Sequence, residues 1–494
     1  MRLEKPFLAV FFFVLATVPL LFGARHPLIH SLYTSLLLLA GGGWLIYNGE
    51  WKDARLSAFA RLAPVLILLF ILLSAIPLPS LLLGLLSPVR AEYLADAVRI
   101  AGLQDAVTSL SYYAPASMFY AVYGTALLLF FYGASALLAS EEVLRKTLWV
   151  ITLVGLFEAV YGLLQATNPG MGVLWLSDSP GYEGVARGTI IYRNQYASFL
   201  NLCWPMALAL GISMYRPTLE KFARPLRRMD DENHPRRRKD DLSPAAKTAL
   251  LFQKAAIPMW SAGLMILAVI FSRSRGGILV MVMIAALFIY LLSFSRRFKT
   301  LFAGSLLLFI CLYGGIIGFD EVIARFATFY EGSLGRFDIW FKSLAMLRDH
   351  IFAGIGMGGY EFLSPVYLEE MPAAVWYDRA HNEYVELAIE LGLPMMLLFL
   401  AWTGREMGGL GRALLQKKRG RQDPTRMRIL DIAAVGAFCG ITGLLLHAWV
   451  DFVWRLPATV IYAVVLLAMM KGKEVEGGRL KAEDEKSPRP LGEG

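Results

Sequence analysis

Two arginines interrupt the apolar part of this sequence at a point where charge is costly. Arg273 and Arg275 stand in "FSRSRGGILV", between the hydrophobic runs "MWSAGLMILAVIF" and "GILVMVMIAALFIYLL". A guanidinium group binds phosphate oxygens through paired hydrogen bonds and stays charged at every relevant pH. Ionisable residues in or beside apolar segments are by default candidates for function, so this stretch predicts a site for an anionic ligand.

Four further motifs supply groups that could act on such a ligand. A histidine with a pKa near neutrality can take a proton from an attacking hydroxyl, and arginines beside it could hold a diphosphate. The candidates are Arg187, Arg193 and Asn194 in "ARGTIIYRNQYASFL", Arg336 in "GRFDIW", Arg379, His381 and Asn382 in "RAHNEY", and His447 and Asp451 in "HAWVDFVWR".

Membrane-spanning helices must position these residues, because the chain is too apolar for a soluble protein. Of its 494 residues, 57% are hydrophobic and 18% are charged, whereas soluble proteins carry roughly 25% charged residues. A span needs roughly 20 mostly apolar residues, and backbone groups in lipid must be paired within a helix. The sequence therefore predicts an all-α polytopic membrane protein. Its spans are expected at 7–22, 28–46, 62–83, 115–139, 147–167, 194–215, 256–272, 276–293, 300–318, 383–402, 431–452 and 455–470, which makes about twelve.

The basic residues predict the orientation of these spans, since cytoplasmic loops carry an excess of lysine and arginine. With the N-terminus in the cytoplasm, the loops on that side hold 35 of the 48 lysines and arginines. Both termini are therefore expected to be cytoplasmic, and the candidate site residues fall at or near the opposite face. The formal charge of +9 follows from this asymmetry, so no nucleic-acid partner is expected. The basic run at 227–241 is interpreted as a solvated loop that touches anionic lipid headgroups.

Loop lengths divide the chain into three parts. Residues 1–146 are expected to form N-terminal spans, residues 147–470 carry the motifs, and residues 471–494 form a charged cytoplasmic tail. The second part contains a cytoplasmic loop at 216–255 and a long loop on the opposite side at 319–382.

The long loop has a pattern of its own. Apolar residues at Phe337, Trp340, Leu344 and Leu347 predict an amphipathic helix that carries Arg336 near its N-terminal end. The glycines of "GIGMGGY" then predict a tight turn that lies on the membrane surface.

Two shorter patterns predict helix ends beside the site. The stretch "SRSRGG" predicts a hairpin turn between two spans, which would explain Gly276 and Gly277. His447, Asp451 and Arg455 follow one another at i, i+4 and i+8, a spacing that places them on one helical face. We interpret His447 and Asp451 as groups that brace helices near the site.

The His381–Asn382 pair allows two interpretations. In one, Asn382 is a helix N-cap, Glu383 and Glu386 are favourable first-turn charges, and His381 is incidental. In the other, His381 performs proton transfer.

No cofactor is expected from the sequence. Cys203, Cys311 and Cys439 all lie within predicted spans, where a disulfide or a thiolate metal site is not expected. The sequence contains no P-loop and no dinucleotide fingerprint, and "GIGMGGY" has no preceding strand that would make it a nucleotide motif.

Taken together, the motifs resemble the O-antigen ligase and polymerase superfamily. "RGTIIYRNQYASFL", "SRSRGG", "GRFDIW", "GIGMGGYEF", "AHNEYVELAIELGLP" and "HAWVDFVWRLPA" occur in the order seen in that family, between about residues 150 and 470. The resemblance implies a helical C-type glycosyltransferase fold. It also implies transfer of a glycan from undecaprenyl diphosphate to an acceptor hydroxyl, without metal or nucleotide, at the periplasmic face of the bacterial inner membrane.

The resemblance also implies roles for individual residues. His381 corresponds to the histidine of the family's His-Asn motif and would act as a general base or orient the acceptor. Arg275 and Arg336 would hold the donor diphosphate and stabilise its charge as the glycosidic bond breaks. Arg187, Arg193, Asn194, Arg273, Arg379 and Asn382 would line the substrate path.

Three alternatives remain open at this stage. The acceptor could be a lipid A core, as for a lipopolysaccharide ligase, another lipid-linked repeat unit, as for an exopolysaccharide or O-antigen polymerase, or a protein. A transporter or flippase of lipid-linked sugars would also have about twelve spans, but its polar groups tend to lie near the bilayer midplane. A structural scaffold would leave the arginine and histidine set unexplained.

Overall fold

The protein is described by a computed structural model that covers residues 4–48, 56–103, 106–174, 183–223, 244–292, 300, 304, 307–308, 311–312, 329–368, 377–420 and 428–486. Within these residues the chain is almost entirely helical. The α-helices are α1 (Glu4–Thr17), α2 (Pro27–Asn48), α3 (Ala58–Ser74), α4 (Ser80–Leu86), α5 (Pro88–Ala101), α6 (Ala114–Leu137), α7 (Glu141–Thr167), α8 (Arg193–Ala223), α9 (Pro244–Phe271), α10 (Arg275–Leu291), α11 (Phe329–Asp349), α12 (Tyr360–Tyr367), α13 (Glu383–Gly420), α14 (Ile429–His447) and α15 (Pro457–Lys486). Short 3-10 helices occupy Phe22–Ala24 and Val453–Arg455.

The predicted helical membrane protein is confirmed. Six helices among the described residues are long and apolar enough to cross a membrane: Pro27–Tyr47, Ala114–Leu137, Glu141–Thr167, Arg193–Met214, Glu383–Lys418 and Ile429–His447. Shorter apolar helices match five more of the predicted spans, at Lys5–Thr17, Ala58–Ser74, Ala255–Phe271, Arg275–Leu291 and Pro457–Lys471. The remaining predicted span, 300–318, falls mostly outside the described residues, so the total of twelve stays a prediction.

The third predicted span, 62–83, was too long. Helix α3 ends at Ser74, because the residue before Pro77 is pushed out of the helical region. The chain then forms strand β1 (Pro77–Leu78), which pairs antiparallel with β2 (Thr108–Ser109). The apolar residues that follow belong to the separate short helix α4 rather than to the span.

Helix α8 is the centre of the core. Residues 194–212 are all buried, and the fully buried side chains include Tyr196, Phe199 and Trp204. One continuous hydrophobic cluster joins α8 to helices from α1 to α15. A buried polar contact ties α8 to α10, where Asn201 Nδ2 donates to the Gly277 carbonyl at 3.0 Å. The first turn of α10 is therefore fixed against the most buried helix of the protein.

The predicted amphipathic helix of the long loop exists as α11, but its buried face differs from the prediction. Ile339, Ser343 and Met346 are buried, whereas Phe337 and Leu344 are 46% and 45% exposed. Apolar side chains of a membrane protein need not face its interior, so apolar spacing alone did not identify the buried side. Helix α11 begins at Phe329, so Arg336 is the eighth of its 21 residues.

The predicted turn at "GIGMGGY" is confirmed. Gly354, Gly356 and Gly358 have φ angles of +65°, +84° and +78°, a region that only glycine enters at little cost. The turn packs closely on α13, since a Cβ at Gly354 would lie 2.4 Å from the Glu390 carbonyl oxygen.

Candidate functional site

The predicted hairpin between α9 and α10 is confirmed, and its residues line part of the site. Ser274 is the N-cap of α10, and its Oγ accepts from the Gly277 backbone N–H at 3.2 Å. Gly276 and Gly277 lie in the first turn of α10 rather than in the hairpin turn. A Cβ at Gly277 would lie 2.5 Å from Ala197 Cβ, and one at Gly276 would lie 2.9 Å from Val450 Cγ2. Their small size is therefore explained by close packing.

A polar cleft lies at this end of α10. Four of its ten lining residues are arginines and one is a carboxylate, so cationic groups dominate its wall. The lining residues are Arg193, Asn194, Arg273, Ser274, Arg275, Gly276, Arg336, His447, Val450 and Asp451. We refer to this set as the arginine cleft. It brings together seven of the predicted site residues from four separate motifs.

Asp451 is the centre of the hydrogen bonds at the cleft. The carboxylate accepts from Tyr192 Oη at 3.2 Å and from Asn194 Nδ2, and Arg336 Nη2 lies 3.4 Å from Oδ2. His381 Nδ1 lies 3.5 Å from Oδ1. Burial alone would raise the pKa of the Asp451 carboxyl, but the His381 ring and the Arg336 guanidinium together hold that pKa below its usual value. Asp451 is therefore an ionised group at the bottom of the cleft.

His381 lies just beside the arginine cleft in a strained backbone conformation. Its φ angle is +53°, which is uncommon for a residue other than glycine and persists only where the surroundings fix it. Trp340 Nε1 donates to the Ala380 carbonyl at 2.9 Å, and the Ala380 N–H donates to Glu386 Oε2 at 3.1 Å. These contacts fix the chain immediately before His381, so that its ring points toward Asp451.

The predicted N-cap of α13 is also confirmed. Asn382 Oδ1 accepts from the backbone N–H groups of Tyr384 and Val385, at 3.0 and 3.2 Å. The cap fixes the chain on the other side of His381, and it does not exclude a role for that histidine.

The predicted stacking of His447, Asp451 and Arg455 on one helical face was wrong. Helix α14 ends at His447, Asp451 lies in the following turn, and Arg455 ends a 3-10 helix. His447 and Asp451 still meet in the cleft, whereas Arg455 points elsewhere. His447 is 1% exposed, and neither of its ring nitrogens has a hydrogen-bond partner among the described residues.

Two predicted substrate-binding arginines lie outside the cleft lining. Arg379 Nη1 is 3.1 Å from Glu386 Oε1, and its Nη2 is 3.9 Å from Glu361 Oε2. Arg187 is buried, and its backbone N–H donates to Gln165 Oε1 at 3.2 Å.

A second polar cluster was missed by the sequence reasoning. Glu383, Glu386 and Glu390 are buried on one face of α13 and surround Arg455. Arg455 Nη2 lies 2.7 Å from Glu386 Oε1 and 2.6 Å from Glu390 Oε2, and Arg455 Nε lies 3.7 Å from Glu383 Oε2. We call these four residues the carboxylate network.

The carboxylate network also binds backbone from three segments. Glu383 Oε1 accepts from the Trp454 N–H at 2.6 Å, and Glu390 Oε1 accepts from the Gly358 N–H at 2.9 Å. Glu386 holds the Ala380 N–H, as described above. First-turn charge was thus an incomplete interpretation of Glu383 and Glu386. Their i, i+3, i+7 spacing with Glu390 inside "EYVELAIELGLP" was the signal that could have revealed the network.

Part of the chain matches a known family. Residues 260–400 match the family model described as O-antigen ligase. That range contains Arg275, Arg336 and His381 but ends before the turn that carries Asp451. No curated protein matches the chain.

Proposed function

We propose that this protein is a glycosyltransferase of the bacterial inner membrane, and the match of residues 260–400 to the O-antigen ligase family model supports this proposal. It moves a glycan from undecaprenyl diphosphate to the hydroxyl of a lipid A core or of another lipid-linked glycan. The observation that supports this most strongly is the position of the His381–Asp451 pair beside the arginine cleft.

The arginine cleft is proposed to hold the diphosphate of the donor. Its wall presents Arg193, Arg273, Arg275 and Arg336, and guanidinium groups match phosphate oxygens in geometry and charge. When the bond between the sugar's anomeric carbon and the phosphate oxygen breaks, its electron pair stays on undecaprenyl diphosphate. Arg275 and Arg336 would stabilise that added charge, so their effect should be larger in the transition state than in substrate binding.

His381 is proposed to act as the general base. As the acceptor oxygen attacks the anomeric carbon, its proton must leave, and the imidazole would take it. Nδ1 faces Asp451 at 3.5 Å, which leaves Nε2 to face the acceptor. An ionised Asp451 would keep the proton of the neutral ring on Nδ1 and stabilise the imidazolium that forms.

The orientation predicted from the basic residues would place this site on the periplasmic face. The polyprenyl tail of the donor would then lie in the bilayer beside apolar helices, and the diphosphate would reach the cleft at the membrane surface. The region responsible would be the proposed domain 147–470.

The test is turnover of an undecaprenyl-diphosphate oligosaccharide by the purified full-length protein in nanodiscs, with a chelator and without nucleotide. Wild type is compared with His381→Ala, Arg275→Ala and the control Arg99→Ala, whose side chain is 78% exposed on α5. Lipid A core and a second lipid-linked glycan are offered as acceptors.

We expect wild type and Arg99→Ala to transfer the glycan. His381→Ala should be slower by about 10²- to 10⁴-fold, the usual contribution of a general base. Absence of transfer to any acceptor, together with movement of the donor across proteoliposomes that survives His381→Ala, would contradict the proposal and favour a transporter.

A further inference from the structure

We propose that the first turn of α10 and the side chain of His447 form an oxyanion subsite for one phosphate of the donor diphosphate. In this subsite the Gly276 backbone N–H and His447 Nε2–H donate to the phosphate oxygens. The ligand assignment rests on the proposed function, but the subsite itself can be tested with inorganic diphosphate.

The first observation is the direction of α10. This helix has 17 residues, and Arg275 and Gly276 of its first turn line the arginine cleft. Backbone N–H groups in the first turn of a helix have no acceptor within the helix, and the helix dipole makes this end positive. Both features favour an anion at this position.

The second observation is that the ring of His447 is buried without a hydrogen-bond partner among the described residues. The side chain is 1% exposed and lines the same cleft. A buried polar group is normally hydrogen-bonded, and leaving it unpaired costs free energy. Because neither ring nitrogen has a hydrogen-bond partner within the described part of the chain, a ligand in the cleft would supply the missing acceptor.

Gly276 connects the two observations. A Cβ at this position would lie 3.2 Å from His447 Nε2 and 2.9 Å from Val450 Cγ2. Any side chain larger than hydrogen would therefore stand between the helix N-terminus and the imidazole edge. Glycine keeps both donors accessible to the same ligand oxygen or to two oxygens of one phosphate.

The subsite would complement the arginines of the cleft rather than duplicate them. Guanidinium groups supply charge, whereas a backbone N–H and a neutral imidazole supply directional hydrogen bonds. The leaving diphosphate carries one more negative charge than the donor, so these two donors should also favour the transition state.

The experiment measures binding of inorganic diphosphate to the full-length protein in detergent by calorimetry, alongside donor turnover in nanodiscs. The variants are His447→Phe, His447→Asn, His447→Gln and Gly276→Ala. A glutamine amide nitrogen can occupy the position of histidine Nε2, whereas an asparagine amide nitrogen corresponds to Nδ1. Gly404→Ala is the matched glycine control, because a Cβ there would meet nothing within 4 Å.

We expect His447→Phe, His447→Asn and Gly276→Ala to weaken diphosphate binding by about 10- to 100-fold, as loss of a hydrogen bond to a charged ligand predicts. His447→Gln and Gly404→Ala should bind within about threefold of wild type. Since Gln and Phe both replace the imidazole, a role limited to packing would not separate them.

Equal diphosphate affinity in wild type, His447→Phe and Gly276→Ala would overturn the subsite, even if wild type turns over the donor. Conversely, an inactive wild type whose diphosphate binding still depends on His447 and Gly276 would overturn the proposed function and keep the subsite. If His447→Phe does not fold, Gly276→Ala and His447→Asn carry the same test.

Discussion

The arginine cleft and the carboxylate network both adjoin the segment that carries His381, and both place ionisable groups where few would be expected. They differ in how these groups are satisfied. In the network, each carboxylate oxygen of Glu383, Glu386 and Glu390 has an arginine or a backbone N–H within 4 Å. In the cleft, His447 is buried without a hydrogen-bond partner among the described residues, and the wall is rich in positive charge.

This difference separates a structural cluster from a ligand site. A buried charge is tolerable when it is paired and hydrogen-bonded. Every carboxylate oxygen of the network has such a partner, although Arg455 Nε and Nη1 have no hydrogen-bond partner among the described residues. The contacts of the network hold the turns around Gly358, Ala380 and Trp454 against α13. In the cleft, the unpartnered ring of His447 lies in a wall that has four arginines and one carboxylate, and this excess of positive charge favours an anionic ligand.

The largest effect is expected from removing the cation of the network, which tests whether the network is structural. Arg455→Met would leave three buried carboxylates without their shared partner, a loss of roughly 3–5 kcal/mol for a buried ion pair that is broken on one side. We expect a large fall in the thermal unfolding midpoint of the purified protein. Arg455→Lys should be intermediate, because an ammonium cannot reproduce the contacts of a planar guanidinium.

A contrary result would be an Arg455→Met protein that unfolds at the wild-type temperature but no longer binds inorganic diphosphate. Arg455 would then belong functionally to the cleft, and the distinction between the two clusters would be wrong.

The next largest effect is expected on turnover, from a change at Asp451, the cleft residue whose Oδ1 lies 3.5 Å from His381 Nδ1. Asp451→Asn keeps the size of the side chain but removes the charge that stabilises the imidazolium. We expect turnover to fall by about 10²-fold or more. Diphosphate binding should not weaken, since a carboxylate repels the anion.

The pKa shift of Asp451 also predicts a pH dependence of stability. A carboxyl whose pKa is lower in the folded protein than the usual value of about 3.9 stabilises the fold above that pH. That stabilisation is lost only as the pH falls through the lowered pKa. At about pH 5 the thermal unfolding midpoint of wild type should therefore still exceed that of Asp451→Asn. Equal midpoints at that pH would show that Asp451 is already protonated there.

The two clusters also differ in how far the sequence could predict them. Arg275 and His447 stood out because ionisable residues at the end of an apolar segment are rare, and Arg336 stood out through the motif "GRFDIW". All three line the cleft. Arg455 was assigned to the wrong cluster, because its spacing from His447 assumed that α14 continues. A helix end without glycine or proline has no clear sequence signal, and here the chain leaves the helix after His447 without either.

The local conformation of His381 shows a second limit of the sequence. The Asn382 cap could be predicted, since its side chain bonds to the next residues in the chain. The positive φ angle of His381 also depends on Trp340, which approaches from α11 and donates to the Ala380 carbonyl. Such a long-range contact leaves no short-range pattern.

A smaller effect follows from that long-range contact. Trp340→Phe keeps an aromatic ring but removes the N–H that donates to the Ala380 carbonyl at 2.9 Å. One lost hydrogen bond costs about 1 kcal/mol, so turnover should fall by up to about tenfold with an unchanged KM for the donor. Trp149→Phe on α7 is the matched control. A raised donor KM with normal turnover would instead place Trp340 in substrate binding.

The smallest effect is expected at an exposed Arg–Glu pair whose N···O distance is close to that of a pair in the carboxylate network. The two pairs differ mainly in burial. Arg145 Nη2 lies 2.9 Å from Glu141 Oε1 in the first turns of α7, close to the 2.7 Å between Arg455 and Glu386. The side chains of Arg145 and Glu141 are 46% and 56% exposed, against 8% and 0% for the buried pair. Arg145→Ala should therefore change stability by less than about 0.5 kcal/mol, and added salt should reduce even that. If Arg145→Ala lowered the unfolding midpoint as much as Arg455→Met, burial would not be the property that makes the carboxylate network structural.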